Sequence, residues 1–88
     1  MAQEKHEKEE DVGELFLVRL EKNDLQKLGF DASVVERIKH VDVYLVWEGD
    51  IFSVKFIWHG VETQAYTLNV NKIPKWIFSY IIDKYIES

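Results

Sequence analysis

Eighty-eight residues, 47% hydrophobic and 14% aromatic, suffice for one folded domain and are too apolar for a disordered chain. The absence of cysteine excludes a disulfide framework and a thiolate metal site. A net charge of −5 carries none of the basic footprint of a nucleic-acid binder, and no apolar run approaches the roughly 18 residues of a membrane span.

Residues 1–12, beginning MAQEKHEKEE, hold five acids against two lysines, so most of the net charge sits here and the rest of the chain is nearly neutral. This polar, unpatterned segment predicts a disordered acidic tail, with 13–88 as a single domain. A signal peptide would need an apolar run where these charges stand. With the lack of cysteine, that points to a cytoplasmic protein. The run Leu15, Phe16, Leu17, Val18 and Leu20 is of strand length and reads as buried on both faces. In EKNDLQKLGF, Asn23 or Asp24 is placed to cap a turn of helix that Gly29 would stop. In DASVVERIKH, Ser33 and Glu36 have capping-box spacing, and Val34, Val35 and Ile38 can face inward. Two short helical pieces, or one helix over about 32–39, are expected.

HVDVYLVWEGDIFSVKFIWHG, residues 40–60, reads as a hairpin of strands over about 40–48 and 51–59 turning at Gly49-Asp50. That turn pairs Trp47 with Phe52, Leu45 with Val54, Val43 with Phe56 and Val41 with Trp58, all on one face. Shifting it to Glu48-Gly49 would set Trp47 against Asp50 and spoil the agreement. A third strand spans about 62–70. A two-residue turn before it would put Thr63, Ala65 and Thr67 on the core side, and a three-residue turn Tyr66, Leu68 and Val70. The second buries more apolar area and is favoured.

The C-terminal helix is expected over about 72–87, capped by Asn71 and tolerating Pro74 in its first turn. Ile77, Phe78, Ile81, Ile82 and Tyr85 form its apolar arc, while Ile73, Trp76 and Tyr80 fall outside the arc's centre. The fold class is therefore α+β, in β-α-β-β-β-α order, with an antiparallel meander and the C-terminal helix on the sheet. From 31 onward, the helix–three strands–helix order is that of a double-stranded RNA-binding domain. The order is all that is shared. That family's long loop between its first two strands is only EGD here, and Lys72 and Lys75 stand in thinly for its lysine cluster. No family is assigned.

Candidate sites follow from this layout. The hairpin register sets His40 across from His59, with Asp42 on the same face and Glu62 near if the second turn is short. Two imidazoles and two carboxylates could hold zinc, but their spacing matches no metal signature, and no tightly bound metal or cofactor is expected. The same face carries Tyr44, Val46, Ile51 and Ile57, so cover by the first strand and the N-terminal helical pieces is expected. No serine sits in a nucleophile elbow and no glycines form a phosphate loop, so an enzyme is not expected. The remaining expectation is a protein-interaction module that joins a second copy of itself, or another protein, through Ile73, Trp76 and Tyr80. Nucleic-acid binding through Lys55, Lys72, Lys75 and Lys84 with stacking aromatics is the alternative.

Overall fold

Gly49 organises the sheet. Its φ of +61° is a left-handed conformation that a side chain would oppose, and it lets the chain reverse after Glu48. The computed structural model describes residues 11–87. Its elements are β1 (Val12–Leu20), α1 (Lys22–Lys27), α2 (Ala32–Arg37), β2 (Ile38–Glu48), β3 (Ile51–Gly60), β4 (Thr63–Asn69), a 3-10 turn (Val70–Lys72) and α3 (Lys75–Glu87). The strands form one antiparallel sheet in the order β1-β2-β3-β4. The fold is the expected α+β meander with its C-terminal helix packed on the sheet.

Every pair expected in the hairpin is present: Trp47–Phe52, Leu45–Val54, Val43–Phe56, Val41–Trp58 and His40–His59. Phe56 pairs with Tyr66 and His59 with Thr63, so three residues make the second turn and Tyr66 and Leu68 point to the inner face. On β1 the pairing with β2 jumps between Phe16 and Val18, leaving Leu17 as a bulge residue. The core joins Leu17, Val18 and Leu20 of β1, Leu25 and Leu28 from the α1 region, Val35 of α2, Val41, Val43 and Val54 of the sheet, and Ile73 and Ile81 around α3. Each such side chain contributes about 1.5–3 kcal/mol when taken out of water.

Several local expectations are corrected. β1 is an edge strand, so Leu15 and Phe16 stay exposed rather than buried on both faces. Glu21, not Asn23 or Asp24, caps α1. Asp24 sits one turn in and accepts from the Glu21 N–H at 2.8 Å. Gly29 does stop α1: at φ +93° it donates to the Gln26 carbonyl while the Phe30 N–H reaches the Leu25 carbonyl, a Schellman closure. Asp31 takes the capping position before α2 in place of Ser33, and Val34 remains exposed. Asn71 does not cap α3. The Asn69 side chain accepts from the Asn71 N–H within the 3-10 turn, and the Pro74 carbonyl accepts from Ile77 and Phe78 to start α3. Of the expected tail, residues 1–10 lie outside the described residues. Val12 belongs to the sheet, paired with Glu48, and the Asp11 carbonyl just before it accepts from the Gly49 N–H at 2.8 Å.

Candidate functional site

The helices pack against one face of the sheet, so the opposite face of β1–β3 is open among the described residues. The first strand lies beside that face rather than over it. The expected cover is thus absent, and the face is closed only by its own cross-strand contacts. Phe16 meets Tyr44 edge-on at 5.3 Å, and the Lys55 ammonium sits 5.1 Å from the Tyr44 ring while binding Glu14 at 2.7 Å.

Toward one end of this face stand His40, Asp42 and His59. The strand pairing alone places them: His40 and His59 are direct partners, and Asp42 is two residues along β2. The imidazole rings lie 4.6 Å apart at 35°. One Asp42 carboxylate oxygen, Oδ2, is 3.2 Å from His59 Nε2 and 3.9 Å from His40 Nε2. The other, Oδ1, accepts from Arg19 Nε at 2.8 Å. Asp42 is 7% exposed. Burial pushes its carboxyl upward, but the hydrogen bond and charge of Arg19, and then the two imidazoles, outweigh that and hold it below its ordinary value. The same bond raises the Arg19 guanidinium. Glu62 does not join them. The longer second turn places it on the rim of a different cleft, near Arg37.

Ile73, Trp76 and Tyr80 do not form one ridge. Ile73 is buried in the core, and Tyr80 packs partly against it. The Tyr80 hydroxyl donates to Asp24 Oδ1 at 2.6 Å, and Lys84 Nζ lies 3.0 Å from the same oxygen. Burial first, and then this bond, push the Tyr80 hydroxyl up to about 12. At Asp24 burial acts upward, yet the bonds from Tyr80, the Glu21 N–H and Lys84 leave the carboxyl below its ordinary value. Trp76 alone of the three projects outward, 58% exposed. The rotation of α3 has a plain cause: α1 covers the Tyr80 side, so Tyr85 is the member of the expected arc left at the surface.

The sheet's inner face is only partly covered. Tyr66 and Leu68 of β4 point to it yet remain 54% and 44% exposed, because no helix overlies them. Between them and the start of α3 lies a cleft of about 290 Å³ lined wholly by apolar and aromatic side chains, among them Phe30, Phe56, Trp58 and Pro74. A second, wider depression of about 670 Å³ shares the Trp58 and Tyr66 walls and opens toward Arg37, Gln64 and Glu62. Trp58 Nε1 is buried without a hydrogen-bond partner among the described residues. A clue to this groove was present in TQAYTLN, a strand-length stretch with no charge to mark a solvent face, but its lack of cover depends on where the helices land.

The lysines of the alternative reading are dispersed. Lys55 is on the outer sheet face and paired with Glu14, Lys84 is bound to Asp24, and Lys72 and Lys75 lie at the approach to α3. No described helix is long and apolar enough to cross a membrane. Comparison with protein-family models, curated proteins and solved structures finds no match to this chain.

Proposed function

We propose that this chain is a non-enzymatic, cytoplasmic interaction module that self-associates as a dimer and brings an aromatic surface to a larger assembly. The observation that carries the reading is the uncovered inner face of β4. Tyr66 and Leu68 border an apolar cleft on a domain of this size, and bare apolar surface of that kind marks a binding site or an aggregation liability. β4 is also an edge strand, and its seven residues carry neither a charge nor a proline to discourage pairing. Antiparallel pairing of β4 with β4 of a second copy would extend the sheet and set the two clefts side by side about a two-fold axis. Trp76, exposed on the first turn of α3, would add a second aromatic contact, while Ile73 is buried in the core that lines the cleft.

Light scattering at high micromolar concentration tests this. The wild type is expected as a dimer, and Leu68→Glu as a folded monomer with unchanged far-UV circular dichroism. A monomeric wild type refutes the reading. The nucleic-acid alternative has weaker support, since two of its four lysines already neutralise acids of the same chain. Filter binding to labelled RNA and DNA at low salt separates the two, and tight, salt-sensitive retention would reverse their order.

A further inference from the structure

We infer that His40, Asp42 and His59 form a site for a divalent transition metal of the zinc class. The sequence spacing argues against it, but the fold supplies what spacing lacks. A tetrahedral zinc ion with bonds of about 2.0–2.1 Å holds its ligand atoms about 3.3 Å apart. Asp42 Oδ2 already stands 3.2 Å from His59 Nε2 and 3.9 Å from His40 Nε2, and one ligand atom from each residue lies within 4.8 Å of the others. A small rotation of His40 closes the triangle.

Two further features separate this cluster from an ordinary ion pair. The first is the orientation of Asp42. The Arg19 guanidinium grips both oxygens, Nε on Oδ1 at 2.8 Å and Nη2 more loosely on Oδ2 at 3.4 Å, which fixes the carboxylate with Oδ2 between the guanidinium and the imidazoles, as supporting groups do around metal-bound carboxylates. Arg19 is half exposed, so its own charge is screened by water and its guanidinium can lean away from an incoming ion. The second is His40. At 3.9 Å its Nε2 is beyond hydrogen-bond reach of the carboxylate it faces, so the pairing that satisfies Asp42 leaves this nitrogen unused. An ion placed among the three atoms would use all of them. Both imidazoles are partly open to solvent, which gives the ion a route in and leaves a fourth position for water. Two nitrogen donors and one carboxylate favour zinc, copper or nickel over magnesium or calcium, which take all-oxygen shells. The central strands that carry the ligands are paired on both sides, so the site is largely formed before the ion arrives.

The test is calorimetric titration of the chelator-stripped full chain with zinc, and separately with magnesium. One zinc per chain is expected, with no heat from magnesium. His40→Ala and His59→Ala should each weaken zinc by more than the about 10–100-fold that loss of a supporting group costs, while both remain folded by circular dichroism. His6→Ala, which removes the one remaining histidine of the chain, should bind as the wild type does. Cobalt gives a second readout: the wild type should develop the visible absorption of a tetrahedral ion, and neither site variant should. Zinc binding that survives both substitutions, or that disappears in His6→Ala, overturns the proposal. So does a wild type that takes up no zinc at high micromolar concentration.

Discussion

Replacing Asp24 with alanine should remove about 2.5–4 kcal/mol of stability, because one carboxylate ties α3 to α1 and also holds the Glu21 N–H at the start of α1. The side chain is 2% exposed. Its Oδ1 accepts from the Tyr80 hydroxyl at 2.6 Å and meets Lys84 at 3.0 Å; its Oδ2 accepts from the Glu21 N–H at 2.8 Å. The Tyr80 bond is charge-assisted and partly buried, worth about 1.5–3 kcal/mol, and the bond from the Glu21 N–H adds about 1 kcal/mol. Lys84 is more than a third exposed and contributes little, since it can turn to water. For a domain of this size the loss lowers Tm by about 10–30 °C. Tyr80→Phe removes that one bond, leaves the carboxylate its other two partners, and should cost about 1.5–3 kcal/mol. The double variant should be less destabilised than the two single losses added together, showing that the residues act through each other. Urea unfolding followed by tryptophan fluorescence measures all three. An Asp24→Ala loss below about 1 kcal/mol, or strictly additive losses, would refute the reasoning.

The same clamp predicts weakening at both ends of the pH scale. Asp24 is lowered from an ordinary value of 3.8, so its contribution is complete above that value and fades as pH falls through the lower folded one. Tyr80 is raised from 10.0 to about 12, so its contribution is complete below pH 10 and fades as pH rises toward 12. A pH series of urea midpoints on the wild type and Tyr80→Phe checks this; the alkaline decline should shrink in the variant. Ile81→Ala empties a fully buried position of α3 and should cost about 2–5 kcal/mol by the same assay. Gly60→Ala should cost about 1–3 kcal/mol or more, because a Cβ there would collide with the Arg37 carbonyl oxygen where α2 runs into β2. Leu68→Glu, at an exposed position, should leave the stability of the single chain within about 0.5 kcal/mol of wild type, read at a concentration where light scattering finds both monomeric.

The hairpin was legible because eight large apolar residues agree on a single register and only one placement of the turn satisfies them all. That rule also predicted the His40–His59 pair and put Asp42 beside it. Glu62 was tied to that cluster only through a short second turn, and the favoured three-residue turn, which the pairing of His59 with Thr63 shows, takes it away. Arg19 as the partner of Asp42 was not legible: the Leu17 bulge shifts β1 by one residue, and nothing in VGELFLVRL announces it. The Asp24–Tyr80 bond joins residues 56 apart in the chain, so local patterning could not reveal it. Helical periodicity identified the apolar positions of α3 but not which of them α1 would cover. Tyr80 thus passed from an expected surface to a partly buried contact, and Tyr66 and Leu68 moved the other way.

The Leu17 bulge bears on how large an assembly can become. A subunit with two joinable flanks adds copies without limit, each newcomer offering a fresh flank to the next. Here one flank is irregular: the ladder breaks between Phe16 and Val18, and the strand carries Glu14 and Arg19. The other is plain. Two copies meeting through the plain flank consume it on both sides and present only the irregular one outward, so growth stops at a pair. A chain that lost the bulge and those two charges while keeping TQAYTLN would offer a second joinable flank on each such pair, and pairing through both flanks would build a fibre.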